Sequence, residues 1–250
     1  GSGKFMDYCS DTFGTVVDVG PGSPTGVSFG YGAKFPEKYQ NAFFISDWSY
    51  GKLYAVHLTP KGSTYVGKVE EFASSQPFPL TDLLVNPKDG AMYIAVGGRK
   101  VQSGLYRVTY IGKEATAAAK SMPGGEEARK RRQALESFVQ KNAKPANKNQ
   151  LNKIWGSLGA KDRGIRHAAR VALEKQSVKN WKIRLDSEKN PVIASAAMIA
   201  LARSDVKSGA TVLQKVMTFK YRDLKSRQQK LDLLRSITLA LTRGLSLMHI

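Results

Sequence analysis

Apolar and polar residues alternate with a period of two through roughly the first 110 residues and with a period near 3.6 from about residue 126 onward. The first pattern predicts strands and the second predicts amphipathic helices. Within residues 81–99 an apolar run ends at Asn86-Pro87, and Asp89-Gly90 supplies the positive-φ turn of a tight hairpin. A β-rich run from Ala91 to Val96 follows, Gly97-Gly98 is expected to halt pairing, and residues 104–110 predict the next strand. An earlier stretch reads as the same unit. Thr25-Gly26-Val27, Ala42-Phe43-Phe44-Ile45-Ser46 and Leu53-Tyr54-Ala55-Val56 match Thr81-Asp82-Leu83, Ala91-Met92-Tyr93-Ile94-Ala95 and Leu105-Tyr106-Arg107-Val108, at offsets of 56, 49 and 52.

A unit of about four strands repeating every 40 to 50 residues or so points to blades of a β-propeller, each burying its faces against its neighbours. A single antiparallel sandwich is the alternative. Between the two copies, Gln76-Pro77-Phe78-Pro79 reads as an extended crossover, because each proline removes a donor and disfavours helix in its predecessor.

In the second half, Ile165, Ala168, Ala169, Ala172 and Leu173 sit at i, i+3, i+4, i+7 and i+8. The set recurs 28 residues later at Ile193, Ala196, Ala197, Ala200 and Leu201, and 40 residues further on at Leu233, Ser236, Ile237, Ala240 and Leu241. Small central residues let helices approach closely, and Pro191 stands where a first helical turn accepts it. This predicts an α-solenoid of HEAT or armadillo type, with an ordinary helical bundle as the alternative favoured by the uneven spacing. The expected organisation is therefore an all-β partial propeller of about two four-stranded blades at 1–112, a linker at 113–125 broken by Pro123-Gly124-Gly125, and HEAT-like helices at 126–250. Since closing a propeller takes at least about four blades, and Leu245 to Ile250 ends the chain without a polar cap, the chain is expected to be a fragment of a longer protein.

Four of these segments carry a resemblance. Pro24-Thr25-Gly26-Val27, Phe43-Phe44-Ile45-Ser46-Asp47-Trp48, Tyr54-Ala55-Val56-His57-Leu58 and Ser103-Gly104-Leu105-Tyr106-Arg107-Val108 resemble the last blades of glucose/sorbosone dehydrogenase-like propellers. The resemblance covers residues 20–112, and residues 125–243 in architecture only. In large bacterial multidomain proteins such propellers precede helical repeats and often a haem-binding cytochrome c module. The resemblance implies a periplasmic or secreted protein that oxidises a sugar or polyol with pyrroloquinoline quinone and passes electrons to a cytochrome. The fragment alone is expected to be inactive. Asp82, at the entry of an inner strand, and Arg99, after the second strand, are the cofactor-binding candidates. An arginine there would pair with a quinone carboxylate, because its planar fork matches carboxylate geometry. The competing reading has Asp82 capping a turn, Arg99 solvated and Trp48 packed between blades.

Charge divides the chain further. Residues 1–112 hold 10 Lys plus Arg against 9 Asp plus Glu, whereas residues 113–250 hold 29 against 11, so nearly all of the net +19 belongs to the second half. That half is the part suited to acidic partners. Arg129-Lys130-Arg131-Arg132, with Lys161, Arg163, Arg166 and Arg170, would suit phosphates, and Trp155, Trp181, Phe219 and Tyr221 are the few aromatics available to stack on bases. A solvated basic face, or one that meets an acidic protein partner through the solenoid, is favoured over nucleic acid.

Cys9 is the only cysteine, which excludes an internal disulfide, a cysteine-based metal site and a CxxCH haem attachment. His57, His167 and His249 show no metal-ligand spacing, and GxSxG, P-loop and dinucleotide motifs are absent. His57 lies in an alternating strand with no motif to supply a hydrogen-bond partner. No apolar run approaches the roughly 20 residues that span a bilayer. Catalytic residues are not identified.

Overall fold

The structure, a computed structural model, describes residues 8–98, 100–120 and 122–245. It divides into two compact units, one of residues 16–124 and one in which the first 15 residues join residues 125–250.

The first unit holds two antiparallel sheets. Strands β1 (Pro24–Phe29), β2 (Phe43–Asp47), β3 (Lys52–Lys61) and β4 (Thr64–Ser74) form a four-stranded meander, with the one-turn helix α1 (Glu37–Gln40) between β1 and β2. Strands β5 (Leu80–Val85), β6 (Met92–Gly98) and β7 (Val101–Val108) form a three-stranded meander. Gly90, at φ 71°, donates its N–H to the Asn86 carbonyl at 2.8 Å and turns β5 into β6. Alternation buries one residue in two: Phe44, Leu53, Ala55, Leu80, Met92 and Ile94 make the core between the sheets. Thr25 donates its hydroxyl to the Leu80 carbonyl at 2.8 Å, which ties β1 to β5.

The expected partial propeller of about two four-stranded blades is corrected by this arrangement. The sheets hold four and three strands, both are open, and the chain as a whole is more helical than β. Its local cause lies at the glycine pair. Gly97-Gly98 ends β6, but only after Gly98 has paired with Val101, and with Lys100 at φ 60° in the turn β7 begins three residues before the predicted Gly104. Three strands use up the second copy, and after Val108 the chain runs irregularly to Gly125. The shared Leu-Tyr-x-Val pattern is what any half-buried meander writes.

The second unit is helical: α2 (Glu126–Glu136), α3 (Lys148–Ser157), α4 (Arg163–Glu174), α5 (Lys182–Ser187), α6 (Pro191–Ser204), α7 (Gly209–Met217) and α8 (Arg227–Leu245). Local chemistry sets the starts. Asn147 and Gln150 form a reciprocal capping box on α3, Asp162 accepts from the Ile165 N–H at 3.0 Å, and Asn190 caps α6 ahead of Pro191 at the first turn. The three small-residue sets fall on α4, α6 and α8, which pack in series, α4 on α6 and α6 on α8.

Stacked HEAT-type repeats are not what results. The helices between these three differ, a six-residue α5 in one gap and a nine-residue α7 in the next, and Trp181 from a connecting segment fills the common core. With α6 buried on nearly every side, the unit folds around one continuous core. Among the described residues no helix is long and apolar enough to cross a membrane.

Candidate functional site

The most heavily built polar site in the helical unit surrounds the segment 8–13. Three helices face it. The α4 face carries Arg163, His167, Arg170 and Glu174 at spacings of four, three and four, α6 adds Arg203 in its last turn, and α8 adds Gln228, Asp232 and Arg235.

These side chains read the main chain of the segment as well as its one carboxylate. Arg163 donates from one terminal nitrogen to the Cys9 and Thr12 carbonyls, both at 3.0 Å. Arg170 donates to the Asp11 carbonyl at 3.1 Å, and Gln228 to the Tyr8 carbonyl at 2.8 Å. Asp11 itself is forked by Arg235, with Nε to Oδ1 at 3.0 Å and the terminal nitrogen to Oδ2 at 2.8 Å. Its side chain is only 1% exposed. Arg203 stands 3.9 Å from the same carboxylate and also pairs with Glu174 at 3.0 Å, while Arg170 pairs with Glu174 on its own helix. Phe13 meets the His167 ring edge-on at 5.3 Å between centroids.

Electrostatics follow from this crowding. Burial pulls the Asp11 carboxyl upward, but the Arg235 hydrogen bonds and the charges of Arg235 and Arg170 outweigh it, so the group is held below the usual aspartate value. Burial, followed by the charges of Arg170, Arg163 and Arg203, pushes His167 down to about 4. Asp232 moves the other way: burial raises it, against a 2.7 Å hydrogen bond from Gln228. The segment itself is a turn, closed by the Thr12 N–H on the Cys9 carbonyl at 3.2 Å, and a buried carboxylate between fixed guanidinium forks is a recognition device for an aspartate presented on such a turn.

Several cations of the predicted basic surface are engaged within the chain. Arg163 and Arg170 are turned onto the segment, and Arg166 donates to the Ala160 and Lys161 carbonyls at 2.7 and 2.8 Å. In the run 129–132, Arg129, Lys130 and Arg132 lie within 3.8, 3.0 and 3.2 Å of Glu126, Glu127 and Glu136 on the same helix. Trp181 is fully buried, and Trp155 is half-buried and donates its indole N–H to Glu188 at 2.9 Å.

The two residues drawn from the resemblance stand apart from all this. Asp82 lies on β5, exposed, and its carboxylate accepts the N–H of its neighbour Leu83 at 2.8 Å. Arg99 lies outside the described residues, as does His249. Trp48 donates its indole N–H to the Gly97 carbonyl at 3.0 Å, joining the loop after β2 to the end of β6.

His57 gains a partner that no sequence motif announces. Glu70 on β4 lies two residues beyond the His57 cross-strand neighbour Lys68, and its Oε2 is 2.7 Å from the imidazole Nε2. The Tyr39 hydroxyl donates to the other Glu70 oxygen at 2.7 Å, and Lys38 approaches at 3.5 Å. These groups are partly exposed on the sheet surface and anchor α1 to it. The Asp11 site was equally invisible in the sequence.

Comparison of the chain with protein-family models, with curated proteins and with solved structures gives no match.

Proposed function

We propose that the helical unit is a protein-interaction module that grips a turn-forming segment by its backbone carbonyls and by one aspartate, with segment 8–13 of the same chain as the occupant. The observation that carries this reading is the bidentate hold of Arg235 on an enclosed Asp11, flanked by arginine and glutamine donors to the four main-chain carbonyls of Tyr8, Cys9, Asp11 and Thr12. Main-chain bonds supply affinity, and the buried carboxylate supplies selectivity. This takes the helical unit, and not the strand end around Asp82, as the working part of the chain. Its ligand class is an acidic peptide, in keeping with the basic surplus of the second half.

The test uses the chain shortened to begin at Val16 and a fluorescent peptide of residues 8–15 with serine at position 9. Binding in trans, weakened at least about tenfold when the peptide aspartate becomes alanine, supports the reading, since a buried charge-assisted pair is worth that much or more. Equal binding of the two peptides, or none, rejects it.

A further inference from the structure

The cleft between α2 and α3 carries a second site, independent of the arginine groove. Both helices pack on α4 and leave about 680 Å³ open between them. That lies within the range of small-molecule sites, roughly 300 to 1,000 Å³. Its floor is apolar, made by Ala134, Phe138 and the buried Ile154. Its rim is cationic, with Arg131 and Lys153, and among the described residues that line it none is acidic.

Arg131 differs from its neighbours in the basic run. Whereas Arg129, Lys130 and Arg132 face glutamates on their own helix, Arg131 reaches across the cleft and donates from one terminal nitrogen to the Ser157 hydroxyl at 3.0 Å. Among the described residues that is its one hydrogen bond, and the guanidinium remains exposed to whatever enters. Gly156 has open space where a Cβ would stand, so the α3 wall is cut back on the cleft side.

A planar cationic fork over an apolar trough is complementary to a carboxylate that bears a hydrocarbon tail. We infer that this cleft binds a medium-chain fatty acid, with its carboxylate on Arg131 and Lys153 and its chain along Ala134, Phe138 and Ile154. A neutral apolar ligand leaves the two cations unpaired, and a small inorganic anion leaves the floor wet.

The full chain is titrated calorimetrically with octanoate, decanoate and dodecanoate below their micellar concentrations. Affinity is expected to rise about fourfold per methylene buried. R131Q is expected to weaken dodecanoate about tenfold or more, as is replacement of dodecanoate by dodecanol. G156L fills the trough with a good helix former and is expected to abolish binding. Thermal unfolding of each variant reports that it is folded. Should G156L not fold, Ala134→Trp blocks the same space from α2. Affinity that is flat with chain length, unchanged in R131Q, or undetectable in the wild-type chain overturns the inference.

Discussion

Arg235 and Asp11 are 224 residues apart in sequence and form a two-point ion pair at 2.8 and 3.0 Å, the carboxylate shut away from solvent and the guanidinium a quarter exposed. Among the described residues it is the side-chain hydrogen bond that spans the most sequence. It also makes a short N-terminal segment, which has no secondary structure of its own, part of the compact unit. The net worth of such a pair is modest, because both groups give up hydration to make it. Loss of one partner is another matter.

With Asp11 changed to asparagine, Arg235 loses its carboxylate, while Glu174 alone is left to balance Arg170 and Arg203. We expect a loss of about 3 kcal/mol in unfolding free energy, the scale for breaking an enclosed pair from one side. Arg235→Met in the same background should cost less than it does alone, giving a coupling of at least about 1 kcal/mol in a urea double-mutant cycle. Additive losses would mean that the two side chains do not act together.

The pH dependence of stability should bear the mark of His167. In the fold its imidazole holds to the neutral form down to about 4, whereas in the unfolded chain it takes a proton near the ordinary histidine value of 6.5. At His167 the unfolded state binds more protons between those two values, so its contribution to stability falls as pH drops from 6.5 to 4, by roughly 2–3 kcal/mol, while the raised Asp232 carboxyl offsets part of this at the acid end. Below that window the depressed Asp11 carboxyl adds its own loss, because its stabilising pairs are present only while it is ionised. Urea midpoints from pH 7.5 to 4 will show the slope, and His167→Gln should flatten it. A wild-type profile already flat over that range contradicts the assignment.

How far the sequence disclosed this can be judged residue by residue. Ile165, Ala168, Ala169, Ala172 and Leu173 repeat the helical period and are all buried, because burial of an apolar stripe is what that period encodes. Asp89-Gly90 turned the chain as its chemistry requires. Gly97-Gly98 closed β6, but the second glycine still pairs, because where pairing stops depends on what lies opposite, and here Val101 does. Similar strand patterns were legible while the number of strands per sheet was not: alternation fixes which face is buried but carries no information about the next sheet. The Asp11 site and the His57–Glu70 contact are tertiary juxtapositions with no local signature. Ion pairs over such distances are written in no window of sequence.

Gly26 is where β1 comes closest to β5. A Cβ there would stand 2.5 Å from both the Asp82 Cα and its Oδ1. Backbone cannot swing aside as a side-chain tip can, so Gly26→Ala must push the two sheets apart and lengthen the Thr25 hydroxyl bond to the Leu80 carbonyl. A loss of about 2 kcal/mol is expected, the usual scale for overpacking. Chemical denaturation monitored by Trp48 fluorescence measures it, and an unchanged midpoint would show that the sheets are free to separate.

Glu70 holds three groups on the outer face of β3 and β4: the His57 imidazole, the Tyr39 hydroxyl and the Lys38 ammonium. The Tyr39 hydrogen bond, opposed by burial and then helped by His57 and Lys38, keeps its carboxyl below the ordinary glutamate value. Tyr39 responds in the opposite sense, its phenol raised by burial and by the hydrogen bond to Glu70. Glu70→Leu removes the shared acceptor without opening the core. The Tyr39 ionisation, taken as the difference between ultraviolet titrations with and without Tyr39→Phe, should then move down toward the usual tyrosine value. Since α1 is a single turn with no side-chain cap, the loss of its anchor should also raise amide exchange through residues 37–41 while leaving β6 unaffected. If exchange at α1 stays as slow as in the wild-type chain, the buried Gln40, which donates to the Phe35 and Ala117 carbonyls at 2.8 Å, is what fixes the turn in place.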